Sequence, residues 1–319
     1  MSSLPAIDSI PALERELSAY STLDDAGLLA PIEVQGVEFP PFAEHQVNVD
    51  VLRADQLHSV ISGNKWFKLK YNFLQARHLN CDELLSFGGA WSNHLHALAF
   101  VGQMLGMRTH GIVRGDELTI DSSPMLREAH QYGMELEFVS RRQFRNYRGQ
   151  YDDLLQDKRY VIPEGGDNDL GMLGAASLLF QTKAKLEDYS HVLVAVGTGC
   201  TFAGLRLALP DHITLIGVSA LKGAWVKQAM AERLSRFGEQ NWMLDLDHHC
   251  GGFARTDQRL LSFVANFGDN TGLYLEPVYT GKVMLALQDL AGSDVVPPGS
   301  RVLFIHSGGL QGARGFGAN

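Results

Sequence analysis

Short apolar runs alternate with segments of helical spacing along most of the chain after about residue 80. This alternation is typical of a parallel sheet that is covered by helices on both faces, and it predicts a protein of the α/β class. Most of the runs are too apolar to be half exposed, which favours parallel strands. The predicted strands are Leu84–Phe87, His110–Val113, Leu136–Val139, His191–Val196, Thr214–Val218 and Arg301–His306.

The segments between these runs carry apolar residues three and four positions apart, which predicts crossover helices. One such stripe is formed by Leu95, Leu98, Ala99, Val101 and Met104, and another by Trp66, Leu69, Phe73 and Leu74. A chain of 319 residues is long enough for about two domains. Because no internal repeat or flexible linker separates them, we expect two lobes that share interwoven chain.

The composition is that of an ordinary globular protein, with 45% hydrophobic and 20% charged residues. No apolar run is long enough to cross a bilayer, and the N-terminus does not resemble a signal peptide, so we expect a cytoplasmic protein. A formal net charge of -9 provides no overall positive field for nucleic acid or an anionic membrane. The three widely spaced cysteines, Cys81, Cys200 and Cys250, are interpreted as free thiols.

A glycine-containing loop directly follows the predicted strand His191–Val196. The loop consists of Gly197, Thr198, Gly199, Cys200 and Thr201, and the helix that it opens is predicted to bury Phe202, Leu205 and Leu209. Backbone N–H groups and hydroxyls at a helix N-terminus favour a phosphate, so the loop is a candidate anion site. Taken alone, it could equally serve only to turn a strand into a helix.

The loop does not match the nucleotide-binding motifs. A P-loop would need a lysine that is absent here, and a dinucleotide fingerprint would need glycine in place of Phe202. The fingerprint also needs an acidic residue at the end of the next strand, where the chain has Ser219 and Ala220. NAD is therefore disfavoured as the ligand.

Three lysines, Lys65, Lys68 and Lys70, stand near the start of a predicted helix. The helix dipole disfavours positive charge at this end, although a solvated basic face would account for the pattern as well. Neighbouring cations would depress the pKa of a lysine below its ordinary value of about 10.4 and make the amine a better nucleophile.

Motifs between about residues 60 and 310 resemble, in order and spacing, the family of 1-aminocyclopropane-1-carboxylate (ACC) deaminase and D-cysteine desulfhydrase, which uses pyridoxal 5'-phosphate (PLP). They are Gly63-Asn64-Lys65 with Lys68, Gly88–His94, Pro163–Gly166, Gly197–Gly204, Pro277–Lys282 and His306–Gly309. The resemblance implies fold type II of the PLP enzymes, in which two three-layer α/β/α lobes with mostly parallel sheets hold PLP in a cleft. It also implies a homodimer. We expect residues 1–65 and 164–319 to form a large PLP-binding domain, and residues 66–163 a small domain inserted in it.

Site residues follow from the same resemblance. Lys65 would carry PLP as an imine, Lys68 and the Gly197–Thr201 loop would hold its phosphate, Asn93 would face its 3'-hydroxyl, and Ser307 would also bind the cofactor. The substrate would be contacted by Ser92, Asn93, His94 and Tyr279. The catalytic residues implied are Lys65, Ser92 and Tyr279.

Two positions point to a reaction type within the family. ACC deaminases carry a glutamate where this chain has Thr280, whereas D-cysteine desulfhydrases carry a threonine there and a hydroxyl residue at the position of Ser307. The pattern implies β-elimination from D-cysteine to pyruvate, hydrogen sulfide and ammonia, with Lys65 or Ser92 carrying the α-proton. ACC deaminases also have a tyrosine 26 residues before the motif tyrosine. In this chain the corresponding residue, counted back from Tyr279, is Phe253, which lacks the hydroxyl.

Other interpretations of the function remain open from the sequence. ACC deamination, D-serine dehydration and β-replacement by a thiol use the same cofactor, and the same scaffold could hold a phosphorylated ligand without catalysis. A metal site is not expected, because His94 with His96, and the consecutive residues His248–Cys250, are poorly spaced for one ion.

Overall fold

The computed structural model describes residues 6–147, 150–155, 157–238, 241–311 and 314. It divides them into two compact units. The first unit contains the described residues of Met1–Leu29, His58–Ile61 and Lys65–Gly174, and the second contains those of Ala30–Leu57, Ser62–Asn64 and Ala175–Asn319.

Strands and helices alternate through most of this sequence. The strands are β1 (Val34–Val37), β2 (Asn48–Leu52), β3 (Glu83–Gly88), β4 (Arg108–Arg114), β5 (Glu135–Val139), β6 (Arg159–Val161), β7 (His191–Val196), β8 (Thr214–Ser219), β9 (Trp242–Asp245) and β10 (Arg301–Ile305). The helices are α1 (Ile10–Leu17), α2 (Ser21–Asp25), α3 (Pro40–Glu44), α4 (Asn64–His78), α5 (Asn93–Leu105), α6 (Pro124–Gln131), α7 (Arg141–Tyr147), α8 (Asp169–Ser177), α9 (Cys200–Ala208), α10 (Trp225–Ser235), α11 (Gln258–Thr271) and α12 (Thr280–Leu290).

The first unit is built on a four-stranded parallel sheet with the order β5-β4-β3-β6. Consecutive side chains of β3 point to opposite faces of this sheet. Phe87 packs against Phe144 of α7, whereas the hydroxyl of Ser86 bonds to His94 of α5. Helices therefore cover both faces, as expected for a three-layer α/β/α unit.

The second unit contains a six-stranded sheet with the order β1-β2-β10-β7-β8-β9. All neighbouring strands are parallel except β1 and β2. Ile216 of β8 faces a core formed largely by α11 and α12, whereas the neighbouring Gly217 lies against the ring of Phe202 in α9. This unit also has helices on both faces, and the α/β class with mostly parallel sheets in two lobes is confirmed.

All six predicted strands are present, with small corrections at the ends. The last strand ends at Ile305 and not at His306, and α9 ends at Ala208, so Leu209 takes an extended conformation beyond the helix. The prediction missed β1, β2, β6 and β9. These strands are short or contain several polar residues, and β1, β6 and β9 lie at sheet edges, where a continuous apolar run is not required.

The division of the chain differs from the expected one at the N-terminus. Described residues up to Leu29 belong with the first unit, whereas the sequence assigned them to the large domain. Two contacts account for this: Glu14 Oε1 accepts a hydrogen bond from the buried Lys70 Nζ at 2.5 Å, and the ring of Tyr20 lies 5.1 Å from that of Phe73. Lys70 and Phe73 both lie on α4, and the sequence pattern did not indicate which segment packs against this helix.

Within the part of the chain that the structure describes, none of the helices combines the length and the apolar character needed to cross a membrane.

Candidate active site

The first group of candidate residues lies at the carboxyl edge of the six-stranded sheet in the second unit. The parallel strands β2, β10, β7, β8 and β9 all end at this edge, which is where open α/β sheets bind ligands. Ser307 follows β10, the Gly197–Thr201 loop follows β7, and the chain after β2 leads to Gly63 and Asn64.

Gly63 and Asn64 lie directly against the backbone of Ser307. Gly63 has a φ of +72°, and a Cβ added there would lie 1.8 Å from the carbonyl oxygen of Ser307, so no side chain fits. The amide of Asn64 donates to the same carbonyl at 3.1 Å. The side chain of Asn64 donates from Nδ2 to Thr201 Oγ1 at 2.8 Å, which ties the residue before Lys65 to the glycine loop.

The glycine loop presents the N-terminus of α9. Gly199 is its N-cap residue, with a φ of +87° and no side-chain capping hydrogen bond. Gly197 is half-buried and Thr198 is exposed, while Cys200 and Thr201 are buried. The backbone amides at the start of a helix, next to a hydroxyl, suit an anionic group such as a phosphate.

Tyr279 stands beside this loop, at the start of α12. A Cβ added at Gly197 would lie 3.3 Å from the Tyr279 ring, so glycine allows the two segments to approach closely. The main chain around Tyr279 is fixed by Glu276, which is fully buried and accepts from the amides of Val278 at 2.8 Å, Tyr279 at 2.7 Å and Thr280 at 2.6 Å. Burial raises the pKa of Glu276, although these hydrogen bonds oppose the shift.

Thr280 turns inward, toward Glu276. Its side chain is fully buried, and Oγ1 accepts from the Glu276 amide at 2.9 Å and lies 3.2 Å from Glu276 Oε1. The hydroxyl of Thr280 is therefore engaged inside the turn. Of the two hydroxyl residues singled out from the sequence, Ser307 is the one whose side chain makes no hydrogen bond with another described residue.

The first unit gathers a second group at the carboxyl end of β3. Ser92 is the N-cap residue of α5, and its Oγ accepts from the amide of Leu95 at 3.2 Å. A Cβ at Gly88 would lie 2.5 Å from Ser92 Oγ, so the tight turn needs glycine there. Asn93 opens the helix, and its Oδ1 is buried without a hydrogen-bond partner among the described residues.

His94 is a neutral imidazole with an open acceptor. Its Nε2 lies 2.8 Å from Ser86 Oγ, and because the Ser86 hydroxyl donates to the carbonyl of Ile162 at 2.8 Å, His94 Nε2 must carry the proton and donate. Nδ1 is then an acceptor, and it is buried without a partner among the described residues. Burial, together with the positive charges of Lys68 and Lys65, lowers the pKa of His94 to about 3.

The two lysines lie on the first turns of α4. Lys65 is half-buried, whereas Lys68 is buried and donates from Nζ to the carbonyl of Gly165 at 2.9 Å. Gly166, with a φ of +68°, lies against both neighbours, because a Cβ there would be 3.0 Å from Lys68 Cβ and 3.4 Å from His94 Cε1. Lys65, Lys68 and His94 thus form one cluster in the first unit.

These two groups fit the chemistry of PLP. Taken by itself, the helix start in the second unit suits an anionic group such as a phosphate. Taken by itself, Lys65 in the first unit has a primary amine that can react with an aldehyde. The buried Asn93 Oδ1 and His94 Nδ1 are polar atoms that a bound polar molecule would satisfy. The residue roles that the resemblance implied stay predictions.

Sequence reasoning missed two residues that organise the site. Asn64 was seen only as part of a motif, although its side-chain amide donates to Thr201 of the glycine loop. Glu276 was not singled out at all, because it lies four residues before α12 and is neither the N-cap residue nor part of the first turn, where acidic start signals are sought.

His248 is held between two carboxylates. His248 Nδ1 lies 2.8 Å from Asp245 Oδ2 and its Nε2 lies 2.8 Å from Asp289 Oδ2. No group of three or more His, Cys, Asp or Glu side chains is placed to hold a metal ion in the described ranges.

A mostly parallel α/β fold, with a helix start suited to an anion and a primary amine on the half-buried Lys65, is compatible with an enzyme that uses a phosphorylated cofactor. The chain belongs to the family described as pyridoxal-phosphate dependent enzyme, whose sequence model matches residues 37–308. PLP is accordingly its cofactor.

Two named relatives and one solved structure match most of this chain. The chain is 27% identical to the mitochondrial bifunctional D-cysteine desulfhydrase/1-aminocyclopropane-1-carboxylate deaminase of Arabidopsis thaliana, over 82% of this chain and 72% of the relative. It is 25% identical to the D-cysteine desulfhydrase of Klebsiella pneumoniae subsp. pneumoniae, over 92% of this chain and 96% of the relative. The crystal structure of an ACC deaminase homologue shares the fold, with a TM-score of 0.72, 23% identity and coverage of 92% of this chain and 95% of that chain.

Proposed function

We propose that this enzyme is a deaminating lyase that performs β-elimination on a small amino acid, with D-cysteine as the substrate. In the balanced reaction, D-cysteine and one water give pyruvate, hydrogen sulfide and ammonia. We also propose, as the sequence predicts, that the enzyme is cytoplasmic and that it forms a homodimer.

The observation that carries the proposal is the arrangement of Thr280 and Ser307. The hydroxyl of Thr280 is engaged with Glu276, so of these two residues Ser307 is the one whose hydroxyl is available to the cofactor. A hydroxyl partner leaves the pyridine nitrogen of the cofactor neutral. This suits prompt loss of a β-leaving group, since little charge then accumulates on the ring. The name of the Klebsiella relative agrees with this reaction.

Bound PLP supplies an electron sink for the carbanion that remains when the α-proton is removed. Lys65 and Ser92 are the proposed carriers of that proton, since each ends in a group that can exchange a proton at its terminal atom. Lys68 and the amides at the start of α9 would neutralise the phosphate. Tyr279 would flank the substrate.

ACC deamination is the second candidate, because the Arabidopsis relative is named for both activities. Two residues of this chain argue against it. Thr280 is directed at Glu276 and cannot supply the carboxylate found in ACC deaminases, and Phe253 lacks a hydroxyl.

The test is to incubate the PLP-loaded enzyme with D-cysteine, L-cysteine, D-serine and ACC, and to identify consumed amino acids and keto acids by mass spectrometry. We expect pyruvate and sulfide from D-cysteine, and no product from a Lys65→Ala variant. Lys183→Ala, at an exposed lysine paired with Glu33, serves as the matched control and should retain turnover. Formation of 2-oxobutyrate from ACC would contradict the proposal.

A further inference from the structure

His306, the residue directly before Ser307, is a fully buried imidazole whose two ring nitrogens have different partners. Nε2 lies 2.8 Å from the carbonyl oxygen of Tyr274, and the amide of Gly308 donates to Nδ1 at 3.4 Å. Because a carbonyl can only accept, Nε2 carries the proton and Nδ1 is left as an acceptor. The two contacts therefore specify one neutral tautomer of the ring.

The carboxylate nearest to this ring is already paired. Asp55 Oδ1 lies 3.7 Å from His306 Nδ1, which is too far for a hydrogen bond. Arg53 binds Asp55 with two donors, from Nε to Oδ1 at 2.9 Å and from Nη2 to Oδ2 at 2.7 Å. Burial lowers the pKa of His306, although the charge of Asp55 opposes the shift. The imidazole thus stays neutral, with Nδ1 kept for the Gly308 amide.

The Gly308 amide belongs to a tightly packed turn that contains Ser307. Gly308 has a φ of +76°, and a Cβ added there would lie 2.8 Å from the carbonyl carbon of Ser62 and 2.9 Å from Gly63 Cα. On the other side of the turn, the carbonyl of Ser307 lies against Gly63. Ser307 is therefore held between a packed carbonyl and an amide whose acceptor is His306, and the direction of its hydroxyl depends on both.

We propose that His306 is a positioning residue for the reaction, which holds the Gly308 amide on Nδ1 and thereby fixes the hydroxyl of Ser307 for the pyridine nitrogen of PLP. This inference rests on the proposed function, which assigns that contact to Ser307. Hydrogen bonds at the ring nitrogen tune the electronics of such a cofactor. A small displacement of the hydroxyl should therefore change the absorption spectrum of bound PLP as well as the rate.

Two substitutions at position 306 separate the two ring nitrogens. His306→Gln keeps a donor near the position of Nε2, for Tyr274, but has no acceptor at the position of Nδ1. His306→Asn is the matched control, because it keeps an acceptor near Nδ1 and loses the donor to Tyr274. Each variant loses one buried hydrogen bond, so the two should lower the Tm to a similar extent.

The readouts are the visible absorption maximum of the PLP-loaded enzyme and the kinetics with D-cysteine. We expect His306→Gln and Ser307→Ala to shift the maximum in the same direction, and to lower kcat about tenfold while KM changes little. His306→Asn should keep the wild-type spectrum and most of the wild-type kcat. A wild-type spectrum in His306→Gln, or an equal shift in His306→Asn, would overturn the inference.

The double variant tests whether His306 acts through Ser307. Adding His306→Gln to Ser307→Ala should cause no further spectral shift, because the hydroxyl that His306 positions is already absent. Additive shifts would overturn the inference, and so would a wild-type spectrum in Ser307→Ala, since there would then be no contact to position.

A measurement on the wild type does not depend on how the variants fold. Nitrogen-15 NMR of the PLP-loaded enzyme, labelled at histidine, should show His306 with a protonated Nε2 and an unprotonated Nδ1 at neutral pH. A proton on Nδ1 would overturn the inference, because the Gly308 amide would lose its acceptor. Absence of elimination from D-cysteine, with the tautomer and the spectral shifts as expected, would overturn the proposed function alone.

Discussion

At the residue scale, the surroundings of His94 keep its imidazole neutral. It is buried beside two lysines, and its Nε2 proton is committed to Ser86. An unfolded chain exposes the same imidazole to water, where its pKa is about 6.5. Between pH 6.5 and the pKa of about 3 in the folded protein, the unfolded state therefore binds a proton at His94 that the folded state does not bind. Stability contributed in this way rises with pH and is lost as the pH falls below 6.5.

We therefore predict that His94→Gln makes the protein less sensitive to acid. Glutamine retains a donor for Ser86 but does not titrate. From pH 7.5 to pH 5, the wild type should lose about 2 kcal/mol more free energy of unfolding than the variant. Urea unfolding at both pH values measures this, with His212→Gln at an exposed position as the control. Identical losses in wild type and His94→Gln would show that His94 becomes protonated in the folded protein.

At the scale of elements, the start of α12 depends on a carboxylate that lies outside the helix. Glu276 accepts hydrogen bonds from three backbone amides, and its negative charge complements the N-terminal end of the helix dipole. Because Tyr279 belongs to this turn, the position of its ring relative to Gly197 depends on Glu276.

We predict that Glu276→Ala destabilises the protein by about 3 kcal/mol, because several buried donors lose their acceptor at once. Asp257→Ala removes an exposed cap from α11, where Asp257 Oδ1 accepts from Leu260 at 2.8 Å, and should cost only about 1 kcal/mol. Chemical denaturation gives both values. A loss for Glu276→Ala no larger than that for Asp257→Ala would show that the turn around Tyr279 does not depend on the carboxylate.

The same scale shows what the sequence pattern could and could not predict. Buried central strands such as β7 and β8 carry continuous apolar runs, so their positions were predicted almost to the residue. Edge strands such as β6, with three half-buried residues, need no such run and left no signal. In the site, the lysines and glycines were visible as motifs. The carbonyl partner of Lys68 and the inward orientation of Thr280 arise from tertiary packing, which single-sequence patterns do not encode.

At the scale of the whole molecule, the chain passes from the second unit to the first between Asn64 and Lys65. The residues proposed to bind the phosphate of PLP are Lys68 and those of the Gly197–Thr201 loop. A ligand that binds only the folded state adds to stability in proportion to the logarithm of its concentration relative to its dissociation constant. Removal of PLP should therefore lower the stability of the protein as a whole.

We predict that PLP at 100 times its dissociation constant raises the free energy of unfolding by about 2.7 kcal/mol, which corresponds to a Tm increase of several degrees. Pyridoxal at the same concentration lacks the phosphate, so the amides at the start of α9 and the charge of Lys68 gain no partner from it, and its Tm increase should be much smaller. Differential scanning calorimetry of the apoenzyme with each compound measures the two shifts. Equal shifts would mean that the aldehyde and the ring provide the binding energy, and that the glycine loop only turns a strand into a helix.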